Sequence, residues 1–224
     1  MLSFFKDYKN FAIGFAILST IIITIIYSIL KPEEKPLPIY QPSHIEKTLV
    51  DSTIQHVKKY HKIADFSLTN QNGITITQED YKNKIYVADF FFTTCGTICP
   101  IMTDHMRDIQ KEILNDDEVM LLSHSVTPKI DTVEQLKRYA RRKGVNDKKW
   151  NLVTGDKKHI YDLARKSYMA VKDGNFDDYS MIHTENFMLI DTKRQIRGFY
   201  DGTDSEAISQ LLKDIKKLKK EYNK

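Results

Sequence analysis

Residues 11–30 read FAIGFAILSTIIITIIYSIL, twenty residues without a charge. At about 1.5 Å of rise per residue, a helix of that length covers roughly 30 Å, the hydrocarbon thickness of a bilayer. Lys6 and Lys9 precede the run, and the charges just beyond it (Lys31, Glu33, Glu34 and Lys35) cancel. This bias places residues 1–10 in the cytoplasm and the bulk of the chain outside. A cleaved signal peptide is the competing reading. The run exceeds the apolar stretch of about 7–15 residues usual in such peptides, and no A-x-A site follows it. A lipid-modified cysteine is excluded, because no Cys occurs before Cys95. The first Arg is Arg107, too late for an Arg-rich mitochondrial presequence. The chain is therefore expected to cross a bacterial inner membrane once, through 11–30, with its C-terminal domain on the periplasmic, extracytoplasmic side.

Residues 31–62 read as a linker, and Pro32, Pro36, Pro38 and Pro42 make its first part stiff and extended, so that the domain is held off the membrane. Its second part, 43–62, is expected to form a short helix or to wrap the domain. Residues 63–224 are then long enough for one well-buried core. Lys and Arg number 34 against 30 Asp and Glu, a net charge of +4. Residues 213–224 (KDIKKLKKEYNK) set six Lys against Asp214 and Glu221 and hold that whole excess. The rest of the chain is neutral, so no nucleic-acid face is implied. Two Cys exclude both a disulfide-dense scaffold and a four-Cys zinc ribbon.

Within the domain, runs with strand character alternate with runs of helical spacing. FSLTNQNGITIT (66–77) turns at Asn72-Gly73 as a hairpin. KIYVADFFFTT (84–94) and VMLLSHSV (119–126) are apolar enough for strands buried on both faces, and WNLVTG (150–155) is a shorter one. ICPIMTDHMRDIQKEI (98–113) repeats its apolar residues at helical spacing, with Pro100 tolerable only in a first turn. Asp131-x-x-Glu134 reads as the capping start of a helix that stops at Gly144, and Asp156 as the cap of another. Residues 186–202 form a second hairpin, and Thr203-x-x-Glu206 opens a last helix. The expected fold is an α/β sandwich with a mixed central sheet and extra hairpins. GxGxxG, GxxxxGK[ST], HExxH and GxSxG are all absent, so nothing points to nucleotide binding or to those hydrolases.

Cys95 and Cys99 sit four apart where a buried strand meets a helix N-terminus. Free N–H groups there favour thiolate over thiol, and a thiolate is both a nucleophile and a soft metal ligand. Three readings stand at this point: two buried structural cysteines, a redox dithiol, and a metal site using both sulfurs.

TTCGTICPIM resembles the T-x-C-P-x-I-C-P signature of the SCO/SenC family, membrane-anchored copper proteins needed for cytochrome c oxidase assembly. DFSLTNQNGITITQEDYKNK is similar to the family's opening hairpin. SVTPKIDT resembles its S-V-D-P-x-x-D-T segment, WNLVTGDKKHIYDLA its W-x-x-L-T-G stretch, and IHTENFMLIDTKRQIRGFYDGT its D-H-[ST] segment with the following hairpin. The resemblance runs from about Ile63 to Ile215. It implies a thioredoxin-like fold and one copper ion, Cu(I) or Cu(II), held by Cys95, Cys99 and His183. It also implies delivery to the copper centre of cytochrome c oxidase subunit II or a related copper acceptor, and leaves room for an upstream copper donor. The alternative is a thiol–disulfide oxidoreductase that reduces the cysteines of such an acceptor, with Cys95 and Cys99 as the redox-active pair. Three positions depart from the pattern. Gly96 replaces the usual Pro, Thr127 replaces Asp in the S-V-D-P segment, and Ile182 replaces the Asp before the His.

Other residues are weighed on their spacing. Met102 and Met106 are expected in the core. His105 is expected to face solvent, and His124 is a candidate to face the site from a strand end. His44, His56, His61 and His159 are read as exposed. Asp89 either tunes the site or bonds a backbone group. The Lys-rich tail reads as the solvated face of the last helix, with an acidic partner or anionic lipid as the alternative.

Overall fold

The computed structural model describes residues 8–30, 35–47, 50–170 and 185–222. The chain divides into two compact units at Lys35/Pro36. The first holds α1 (Lys9–Leu30), whose large apolar side chains, including Phe11, Phe15, Ile23 and Leu30, are exposed. Among the described residues, no helix is long and apolar enough to cross a membrane.

The second unit is built on seven strands: β1 (Ser67–Asn70), β2 (Thr75–Thr77), β3 (Ile85–Phe91), β4 (Val119–Ser125), β5 (Trp150–Thr154), β6 (Asn186–Ile190) and β7 (Ile196–Asp201). They form one sheet in the order β2-β1-β5-β4-β3-β6-β7. β3, β4 and β5 are parallel, joined through α2 (Ile98–Glu112) and α3 (Val133–Lys143). The hairpins β1–β2 and β6–β7 add antiparallel edges. This is the mixed α/β sandwich expected, because β-branched and aromatic runs fill the centre and turn residues frame it.

Every residue of β3 is buried, and successive side chains feed two separate cores. Tyr86, Ala88 and Phe90 pack on one face with Leu122, Val153, Ile160 and Tyr168. Ile85, Val87 and Phe91 pack on the other with Met102, Met106, Trp150 and Leu211. The first face is covered by α4 (Lys157–Asp162) and the π-turn that continues it, Leu163–Ser167. The second is covered by α2, α3 and α5 (Ser205–Tyr222). Met102 and Met106 are core residues, as expected.

The described part of 31–62 wraps the domain, which is one of the two courses expected for 43–62, but the wrapping begins earlier, within the stretch expected to stand stiff and extended. From Pro36 onward the chain belongs to the compact unit. Leu37 and Val50 are buried, Tyr40 N–H donates to the Ile196 carbonyl (2.9 Å), and His61 reaches the Ser167 carbonyl (2.8 Å). The buried Arg197 donates to the Leu37 and Pro38 carbonyls (2.7 and 3.0 Å) and pairs with Asp191 and Glu221. Proline stiffness set the shape of this strap, but a guanidinium far along the chain set where it lies. The compact unit therefore starts at Pro36, well before the expected Ile63.

Candidate metal and thiol centre

β3 ends at Phe91, and the six-residue turn that follows delivers Cys95 just ahead of α2. Cys99 occupies the first turn of α2, next to Pro100, which has no N–H to leave unpaired there. The two sulfurs sit in different surroundings. Cys99 is 3% exposed, while Cys95 is half-exposed. The Cys99 N–H points at the Cys95 sulfur (3.4 Å), and the Thr97 hydroxyl lies 3.7 Å from it. Burial by itself would push the Cys95 thiol up. The Cys99 and Thr97 N–H groups and side chains outweigh it and bring the thiol down to about 7. Burial dominates at Cys99, and with the nearby Cys95 and Asp89 charges it pushes that thiol up to about 12.

The turn is held from beneath by Asp131, which is wholly buried. Its carboxylate accepts from Thr93 N–H (3.3 Å), Thr93 Oγ1 (2.5 Å), Ser125 Oγ (2.6 Å) and Thr127 Oγ1 (3.0 Å). Gln135 Nε2 adds a bond to Thr93 Oγ1 (2.8 Å). Thr93 is two residues ahead of Cys95, so this knot fixes the root of the cysteine turn. Asp131 was expected to cap α3, but that cap is Thr132, whose Oγ1 accepts from Gln135 N–H (3.3 Å). Thr127, which stands where the family segment has Asp, donates its hydroxyl to Asp131 and so joins this knot. Gly96 has open space on every side of a would-be Cβ, so the residue type there is sterically free.

Asp89 lies on the same face of the sheet as Cys99. Its carboxyl does not bond a backbone group. Burial pushes it up to about 7, the Ser123 hydroxyl offsets part of that, and Oδ1 has no partner among the described residues. Its field raises the Cys99 and Tyr139 groups. His124 faces away from the cysteines. It is fully buried on the opposite face, stacked on Phe90 (4.8 Å) and edge-on to Tyr168 (5.2 Å), and burial holds its imidazole down to about 4. His105 is not a free surface residue, because Nδ1 lies 2.8 Å from the Gly202 carbonyl ahead of α5. His159 is half-buried, with Nε2 enclosed and without a partner among the described residues.

His183 and Ile182 lie outside the described residues. Among the described residues, no group of three or more His, Cys, Asp or Glu could hold a metal ion. The structure brings Cys95 and Cys99 together. Two sulfurs suit Cu(I), and a third donor would have to come from elsewhere in the chain.

Comparisons with known proteins give the family. The family model described as SCO1/SenC matches residues 54–220. The SCO1 protein homolog of Bacillus subtilis is 31% identical over 158 residues, 70% of this chain and 82% of that protein. A solved structure of BsSco, described as having a disulfide switch and as a member of the Sco family of cytochrome c oxidase assembly proteins, superposes with a TM-score of 0.61. It is 32% identical and covers 70% of this chain and 93% of its own. ScoI of Arabidopsis thaliana, solved with copper bound, has a TM-score of 0.56 at 25% identity over 68% of this chain and 97% of its own. With the family model spanning the whole of the α/β unit from within its strap to α5, and with the paired cysteines at the end of β3, the chain belongs to the SCO1/SenC family.

Proposed function

We propose that this protein binds one copper ion through Cys95, Cys99 and His183 and passes it to the copper centre of cytochrome c oxidase subunit II or a related acceptor. The observation that carries the reading is the asymmetric pair of sulfurs at the exposed end of a rigid parallel sheet. Cys95 can be reached by a partner and Cys99 supports it from below. Copper bound to a half-exposed thiolate can be exchanged one ligand at a time with an acceptor's own thiolates. His183 would complete the set and let the site accept Cu(II) as well as Cu(I). The copper-bound relative and the description of BsSco support this assignment. We read α1 as a single-pass anchor that keeps the domain on the extracytoplasmic side of a bacterial inner membrane, on the strength of its twenty uncharged residues and its exposed apolar side chains.

The test is metal analysis of the reduced protein, with His183→Ala beside the wild type. One copper per chain is expected, with weakened Cu(II) binding and an altered Cu(II) absorption spectrum in the variant. An unchanged spectrum refutes the ligand assignment.

The same asymmetry favours a second reading, thiol–disulfide exchange with the acceptor. The Cys95 thiolate attacks an acceptor disulfide and displaces one acceptor thiolate, forming a mixed disulfide. Cys99 then gives up its proton and attacks the Cys95 sulfur, which releases the second acceptor thiolate. Two electrons reach the acceptor, and a Cys95–Cys99 disulfide remains. A Cys99→Ser variant should trap the mixed disulfide, and failure to trap any acceptor counts against this reading.

A further inference from the structure

The sequence places the chain's whole positive excess in residues 213–224, and the fold shows which way that charge points. α5 buries Ile208, Leu211, Ile215 and Leu218. At about 100° per residue, Lys213, Lys216, Lys217 and Lys220 fall on the opposite pole, and all four are exposed or partly exposed. The acids of this stretch do not reach that pole. Asp214 accepts from the Tyr200 hydroxyl (3.0 Å), and Glu221 is held by Arg197 (2.6 Å) and by the Leu37 N–H (2.7 Å). Lys219, on the flank, is taken by Asp116 and Glu118 (2.5 and 2.9 Å). Among the described residues, no carboxylate forms an ion pair with the four pole lysines.

Glu221 and Arg197 also fix where the chain enters the compact unit, because they hold Leu37 at the C-terminal end of this helix. Only residues 31–36 separate Leu30, the last residue of α1, from Leu37. Such a tether reaches at most about 25 Å when fully extended.

We infer that the Lys213–Lys220 pole of α5 docks on the anionic headgroups of the bilayer that α1 enters. The inference rests on reading α1 as an anchor. A face of four ammonium groups that no described carboxylate pairs, within a short tether of a charged interface, is drawn to it, and the attraction fades beyond a Debye length. An acidic protein would meet the same charge. Lipid is the occupant favoured, because the length of the tether alone keeps this helix within reach of the bilayer, with no other partner required.

The experiment uses the full chain in nanodiscs of phosphatidylcholine alone or of phosphatidylcholine with phosphatidylglycerol. Lysines are acylated and located by mass spectrometry, with the exposed Lys129 and Lys148 as internal references. In the anionic discs the four pole lysines should label at about one third of their rate in the neutral discs, and high salt should restore the rate while the references stay constant. Failure of the protein to co-elute with either disc overturns the anchor reading and this inference with it. Insertion with equal labelling in both discs overturns the inference and leaves the anchor standing. Protection that appears only when a polyglutamate peptide is added, in either disc, assigns the pole to an acidic protein and overturns the lipid.

Discussion

The difference between the two thiols can be turned into a rate. In the reduced, metal-free protein, a Cys95 thiol at about 7 is half ionised at neutral pH. A Cys99 thiol at about 12 is ionised in roughly one molecule per 10⁵. The less acidic thiolate is the better nucleophile, with a Brønsted slope of about 0.4–0.5, which returns roughly two orders of magnitude to Cys99. Cys95 should therefore alkylate about 10³-fold faster at pH 7, before the burial of Cys99 is counted. The assay is iodoacetamide under pseudo-first-order conditions from pH 5 to 9, with the label assigned by fragment-ion mass spectrometry. Label should appear first on Cys95, with a midpoint near pH 7. Thr97→Val removes one hydroxyl near the sulfur and leaves the backbone N–H groups, so the midpoint should rise by less than about one unit. Equal rates at the two cysteines, or a Cys95 midpoint at the ordinary thiol value of about 8.5, would falsify the account of the turn as a device that stabilises one thiolate.

Three further outcomes follow from groups around the centre. A carboxyl whose folded pKa is raised keeps its proton longer in the folded state, so Asp89 lowers stability progressively as pH rises from about 4 to about 7. Asp89→Asn should therefore be more stable than wild type at pH 8, by up to roughly 4 kcal/mol, and no more stable at pH 4, as urea titrations at the two pH values would show. Asp131→Ala leaves the buried donors of Thr93 and Ser125 and the half-buried hydroxyl of Thr127 without an acceptor and should lower stability by roughly 3–5 kcal/mol. The same variant should bring the alkylation rates of Cys95 and Cys99 closer together, and unchanged selectivity would show that the knot does not set the turn. Arg197→Ala abandons the buried Asp191 and frees the strap carbonyls, again at roughly 3–5 kcal/mol. Limited proteolysis should then cut near Leu37–Gln41 first; a strap as resistant as in the wild type would refute its dependence on Arg197.

What could be read from the sequence divides by the range of the interaction that decides it. β3 and β4 were legible because a strand buried on both faces is apolar over most of its length, and no distant partner can change that. The cysteine turn was legible for the same reason, since the N–H groups that act on Cys95 belong to residues two and four positions on. Asp131 shows the other case. Locally, Asp-Thr-x-Glu serves equally for a cap and for an inward carboxylate, and the choice fell to the hydroxyl of Thr93, 38 residues away. Once that hydroxyl and Ser125 were buried they needed an acceptor, and Thr132 could take the cap at little cost. His105 and His124 were misjudged or left open on similar grounds, as helical and strand spacing give a face but not what the face meets. The lysine tail makes the point most sharply. Its net charge was countable from the sequence, but its direction depended on Tyr200 and Arg197 drawing Asp214 and Glu221 inward. A charge count becomes a surface only when the fold decides which of its members are already spoken for.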